Sequence, residues 1–198
     1  MRFLTVNDVC NYLGYDASDP NLATDIENVG EVAEDMVEAY LGAPIETSNT
    51  ASIRLFDGFD TGMVSFGCYC RSISKIEVLD QENNVAYEIT DYVLQPSTNR
   101  KGVYRWVERK SDYNFPQGLA NIRITGLWGF NEVPNQIKYA TVLVIKHLFE
   151  LRTHSTTLSE EAGFGRNVVF RDMGNDSAIP APAKQILNPW VNRTFMVH

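Results

Sequence analysis

Asp60-Thr61-Gly62, set between Phe59 and Met63-Val64, has the tripeptide form found around an aspartic protease carboxylate. That chemistry needs two carboxylates sharing one proton, so that one acts as acid and the other as base. The sequence holds one copy, and Asp57-Gly58 immediately upstream gives the segment the composition of a hairpin turn, not of a buried strand. A hydrolase using Asp60 is the remotest reading. Asp57 and Asp60 lack the alternating oxygen ligands and closing glutamate of an EF-hand loop. His147 lies on an apolar helical run near Glu150, the setting of a half-buried structural histidine, and His154 and His198 have no ligand-like spacing to it. Cys68 and Cys70 have no second pair to complete a zinc site, and an odd set of Cys10, Cys68 and Cys70 favours reduced, structural thiols. Gly163-Phe164-Gly165-Arg166 lacks the strand-to-helix setting of a phosphate loop and reads as a hinge. No catalytic, cofactor-binding or metal-ligating set emerges, and a non-enzymatic protein is expected.

The elements that must position these residues fall into three sections. A chain of 198 residues, 44% apolar and 21% charged, can bury a substantial core as one domain or two small ones. In the first section Thr5 can cap a short helix over Val6, Val9, Cys10 and Leu13 that stops at Gly14. Asp19-Pro20 then opens a longer helix with apolar Leu22, Ile26, Val29, Ala33, Met36 and Tyr40 at steps of three and four, ended by Gly42 and Pro44. Residues 51–125 switch to short segments rich in Ile, Val, Tyr and Phe, with candidate strands at 52–56, 62–66, 73–79, 85–89, 92–95, 102–107 and 121–125. Asp57-Gly58, Glu82-Asn83-Asn84, Pro96 to Asn99 and Pro116 to Gly118 supply the turns. About seven such strands suggest a small antiparallel barrel or sandwich.

The third section begins at Trp128-Gly129-Phe130. Val133-Pro134 opens an apolar helix over Ile137, Ala140, Thr141, Val144, His147, Leu148 and Leu151. Residues 153–175 are polar and glycine-containing, read as a long irregular segment with one strand at 168–171. Ile179-Pro180 then introduces a short helix, 183–187, before Pro189-Trp190 and a terminal arm, 191–198. The fold class expected is α+β: a helical scaffold of two N-terminal helices, one long apolar helix and a short C-terminal helix, with an antiparallel β barrel or sandwich insertion. The divisions are 1–45, 46–128 for the insertion, and 129–198, the helical parts packing as one core. The longest uncharged apolar run near the third helix falls far short of the roughly 20 residues that cross a bilayer. The first residues reach polar Asn7 and Asp8 without a secretory apolar core, so no membrane partner and cytoplasmic synthesis are expected.

Charge limits the partners further. A net charge of −8 and a pI near 4.9 argue against tight coating of nucleic acid, which needs basic surface to displace counterions. Glu27, Glu31, Glu34, Asp35 and Glu38 occupy the outward positions of the second helix: a solvated face, or a surface that lets a polyanion pass without holding it. Arg100, Lys101, Arg105, Arg109 and Lys110 surround Tyr104 and Trp106 on an expected hairpin. That hairpin is solvated or pairs with an acidic neighbour such as the 31–38 face, in preference to touching DNA.

Two helices at the start are followed by strands ending in Ile122-Arg123-Ile124-Thr125-Gly126-Leu127-Trp128-Gly129-Phe130. Val133-Pro134 then opens an apolar helix, and Ile179-Pro180 leads to Leu187-Asn188-Pro189-Trp190. By this order of elements most of the chain resembles the head-tail connector (adaptor) proteins of tailed bacteriophages. The resemblance implies a structural virion protein at the neck, forming a ring with copies of itself, commonly of twelve subunits. Such a ring sits beneath the portal protein, extends the DNA channel without sequence-specific binding, and docks the next neck, stopper or tail protein. The alternative is another neck or tail-completion component or a general ring-forming module. Compact members are almost wholly helical, so the 51–125 strands depart from that pattern. A ring closes through heterologous contacts and leaves loops and arms to order against a neighbour. Aromatic and arginine anchors in such segments, Phe164, Arg166, Phe170, Trp190, Arg193 and Phe195, are the candidate subunit or portal interface, with Trp190 equally able to pack on its own core.

Overall fold

The structure of the chain, a computed structural model, describes residues 1–96, 102–161 and 179–191, with the backbone alone for 152–161. It contains two compact units, Met1–Leu41 with Pro134–Val191, and Gly42–Val133.

The first unit is helical. In α1 (Val6–Leu13) Thr5 accepts a hydrogen bond from the Asp8 N–H at 3.1 Å, and the Asp8 carboxylate accepts one from the Thr5 N–H at 3.0 Å. This reciprocal cap satisfies two otherwise orphaned donors, and Gly14 (φ 73°) ends the helix in the left-handed conformation that glycine adopts without steric cost. α2 (Pro20–Leu41) starts under Asp19, whose side chain accepts from the N–H groups of Asn21 and Leu22. It buries Ile26, Ala33, Val37 and Leu41. α3 (Asn135–Glu161) buries Ile137, Ala140, Thr141, Val144 and Ile145, while the Thr141 hydroxyl donates to the Ile137 carbonyl at 2.9 Å. It is therefore not an apolar helix throughout: it continues into the polar residues expected to be irregular, because no glycine or proline stands between Asn135 and Gly163 to stop it. α4 (Ala181–Leu187) buries Ala183 and Leu187 and passes into a 3-10 turn (Asn188–Trp190), where the Tyr40 hydroxyl donates to Asn188 at 2.7 Å. The expected 168–171 strand lies outside the described residues.

The second unit is one antiparallel sheet of β1 (Ser52–Gly58), β2 (Met63–Leu79), β3 (Val85–Glu88), β4 (Tyr92–Gln95), β5 (Tyr104–Arg109) and β6 (Gly118–Trp128). Its order is β1-β6-β2-β5-β4, with β3 beside β2. Mixed helices and an antiparallel sheet agree with α+β. Among the described residues the ladder path starts at β1 and ends at β4 without closing, so a complete barrel is not what the ladders form. Two expected strands, 62–66 and 73–79, are one long strand, β2. Within β2 Gly67 (φ 59°) takes the left-handed conformation, and the β2–β5 register shifts between Ser65 and Cys70 around it.

The core of this unit gathers Val64, Phe66, Cys68, Cys70, Ile76, Val78, Val107, Phe115, Ile122, Ile124 and Trp128. Trp128 is its centre: the ring meets Phe66 edge-on at 5.5 Å, its indole N–H donates to the Ser52 carbonyl at 2.9 Å, and the Arg54 guanidinium lies 4.8 Å above it.

Candidate functional site

The acidic residues of α2 do not share one outward face. Glu34 is 0% exposed, and its carboxylate accepts hydrogen bonds from the N–H groups of Arg2, Phe3 and Leu4 at 2.6, 3.1 and 3.2 Å. Arg2 reaches past it, 2.6 Å from Asp35 and 2.8 Å from Glu38. Gly30, one turn earlier, leaves the space that Met1 fills: a Cβ there would lie 2.2 Å from the Met1 sulfur. The expected acidic surface is thus divided. Glu34 is a buried acceptor for the N-terminal segment, Asp35 and Glu38 are paired with Arg2, Glu31 lies 3.5 Å from the Met1 ammonium, and Glu27 stays exposed.

The basic hairpin is divided in the same way. Arg109 on β5 lies 2.8 Å from Asp91, and its guanidinium sits 5.8 Å from the Tyr113 ring and 5.9 Å from the Phe115 ring. It is thus engaged as a cation within its own unit. Arg105 is half-buried and Lys110 is exposed. Arg100 and Lys101 lie outside the described residues.

Of the expected interface anchors, Phe164, Arg166, Phe170, Arg193 and Phe195 also lie outside the described residues. Trp190 is only 6% exposed, so it packs within its own chain and offers little surface to a partner.

Asp60 is an exposed turn residue (φ 55°) whose carboxylate accepts from the Asn114 amide at 3.3 Å, a partner that cannot share a catalytic proton. Glu150 pairs with Lys146 at 3.7 Å, and His147 beside it is half-buried. Burial pushes the Cys68 thiol up to about 11 and the Cys70 thiol up to about 12, so neither is a thiolate nucleophile at neutral pH. Among the described residues no group of three or more His, Cys, Asp or Glu is arranged to hold a metal ion, and no helix is long and apolar enough to cross a membrane.

Two features stand out that the sequence pattern did not single out. On the outer face of the sheet Glu77 lies between Arg123 at 2.8 Å and Lys75 at 2.6 Å, and these hydrogen bonds, Arg123's first, hold its carboxyl down to about 2. At one end of the sheet Phe59, Tyr113 and Leu119 are 70%, 71% and 87% exposed. An aromatic next to a turn was the available signal for Phe59. Leu119 had none, because its exposure depends on where β6 begins.

The family model for head completion proteins matches residues 2–192. The chain belongs to that family. No curated protein matches this head completion protein in sequence. Its fold is similar to a chain in the neck of an empty gene transfer agent particle computed with C6 symmetry. The TM-score is 0.56 at 12% identity, covering 98% of this chain and 92% of that one. A chain in the virion of the native gene transfer agent particle gives 0.57 at 13% identity, with coverage of 98% and 92%. A third, in the native particle's neck computed with C12 symmetry, gives 0.54 at 13% identity, with coverage of 98% and 91%. At these identities the likeness concerns the fold, which this head completion protein shares over nearly its whole length.

Proposed function

We propose that this head completion protein is a structural, non-enzymatic subunit of a virion neck. It assembles as a ring between the portal and the tail or neck proteins, extends the DNA channel, and docks the next component. The observation that carries the reading is the family match over residues 2–192; the fold similarity to neck chains of gene transfer agent particles supports it. A subunit count of twelve, the portal as partner, and passage of DNA without sequence-specific binding belong to this proposal. The net charge of −8 supports the last point, since a duplex slides past a wall that offers few cations. Glu27 is the remaining acidic face, with Glu31 exposed beside the Met1 ammonium, and Lys110 is the exposed described cation of the basic hairpin for pairing between neighbouring subunits. We read the sheet as a partly open barrel, on the ground that Phe56 of β1 and Leu94 of β4, the two ends of the ladder path, pack against the same core cluster.

Negative-stain images and mass measurement of the purified protein, alone and mixed with its portal, test the reading. A closed ring seated on the portal is the expected outcome. A chain that stays monomeric and unbound in the mixture overturns it.

A further inference from the structure

The end of the β sheet where β1 stops and β6 starts is built to hold apolar side chains in water. Gly58 pairs with Gly118, and a Cβ on Gly58 would lie 1.8 Å from the Pro116 carbonyl oxygen, so the two segments meet at backbone distance. Asn121 joins them on both sides: its oxygen accepts from the Gly58 N–H at 2.9 Å and its amide donates to the Pro116 carbonyl at 2.9 Å. The Ala120 N–H donates to Asp57 at 2.7 Å, and the Phe115 N–H donates to the Thr61 carbonyl at 2.7 Å. Ala120 (φ 49°) and Asp60 (φ 55°) stand in the left-handed region that non-glycine residues avoid, and such strain concentrates at functional positions. This framework presents Phe59, Tyr113 and Leu119, each at least 70% exposed. A soluble protein that fixes three large apolar side chains outward at one place has made a contact surface, with aromatic anchors ordered in advance.

Size and charge select the occupant. With a fully buried aromatic contributing about 150–250 Å², three side chains of this kind offer on the order of 400 Å². A stable pairwise interface needs about 800 Å² per partner. The tip is too small for a lone dimer, and suits a contact repeated around an axis, where each copy adds avidity. Its rim has an acidic excess: Asp57, Asp60 and Asp112 are exposed there, against Lys110, while Arg109 over the Tyr113 ring is paired with Asp91. A second copy of this chain carries the same net charge of −8, and like charge disfavours it as the occupant.

We propose that this tip is a docking knob that seats Phe59, Tyr113 and Leu119 in an apolar groove with a basic rim on a different, multimeric protein of the particle. The proposal rests on the neck reading above and adds the surface and the chemistry of its partner.

A photoreactive benzoylphenylalanine placed at Leu119, and in a control at exposed Thr50 beyond the opposite end of β1, tests it in purified assembled particles. The expected result is a cross-link from position 119 to another polypeptide of the particle, mapping to apolar residues flanked by Lys or Arg, with at least tenfold lower yield from position 50. Cross-linking to a second copy of this chain, or equal yields from the two positions, overturns the knob while the neck reading stands. Absence of the chain from the particles overturns both. A Leu119→Asp variant supplies the second measurement. Its melting temperature as purified protein is expected to equal the parent's, while its incorporation into complete particles falls at least tenfold; unchanged incorporation overturns the proposal.

Discussion

The carboxylate of Glu34, one turn beyond Gly30 on α2, lies 2.6 Å from the backbone nitrogen of Arg2 and accepts from the next two N–H groups as well. A buried carboxylate is tolerated where charge-assisted hydrogen bonds replace its water. Here the first four residues and the middle of α2 satisfy each other.

Removing that acceptor strands three donors. Glu34→Ala is expected to destabilise the protein by about 3 kcal/mol, the usual cost of leaving buried polar groups unpaired. Glu34→Gln, which keeps one carbonyl oxygen, should lose less. Urea unfolding followed by circular dichroism reads both, and an Ala variant within about 0.5 kcal/mol of the parent, the range of an ordinary surface change, would show that the seat does not hold the segment.

Stability on the acid side should depend on Glu77. Its folded value, about 2, is below the ordinary 4.5, with Arg123 as the leading cause. A depressed carboxyl contributes stability that is fully present above the unfolded value and lost as pH falls through the folded one. The loss is expected between about pH 4.5 and 2. Thermal melts from pH 7 downward should fall more steeply in that window for the parent than for Glu77→Gln; parallel curves would refute the assignment.

Local signals were legible in the sequence, and long-range ones were not. The Thr5 cap, the Gly14 stop and the Asp19-Pro20 start act within a few residues, and each helix begins or ends where they stand. β2 could not be read as one strand, because the shift that carries it past Gly67 is set by its partner β5. Glu34 followed the outward spacing of its acidic neighbours, yet the segment that covers it comes from 30 or more positions away. Gly30 was the one available hint, since a glycine inside a helix costs about 1 kcal/mol against alanine and usually marks close packing. Interface anchors were harder still. Trp190 has the composition of a hot spot but packs inward, whereas the exposed tip depends on two loops meeting.

The thiols give a test of the core. Cys10, Cys68 and Cys70 are all free and buried, and burial raises the thiol value of each. The native protein is expected to react with Ellman's reagent hardly at all at pH 8, and to release three equivalents once unfolded in guanidinium. Rapid native labelling of even one thiol would contradict the packing.

Arg109 and Lys110 are neighbours in sequence with opposite expected roles. Arg109 is held by Asp91, whose other oxygen accepts from the Ser111 hydroxyl, and its guanidinium covers Tyr113 and Phe115. Reversing it to glutamate places two carboxylates together beside a buried phenylalanine, and Arg109→Glu is expected to cost about 2–4 kcal/mol. Lys110 is exposed, so Lys110→Glu should leave the isolated chain within about 0.5 kcal/mol of the parent. Melting temperature of each variant separates folding from assembly. A ring lost in Lys110→Glu with melting unchanged points to a cation used between subunits, whereas a ring lost in Arg109→Glu reports first on the fold of the β unit. If Arg109→Glu melts like the parent, the Asp91 pair is not what holds β4 against β5.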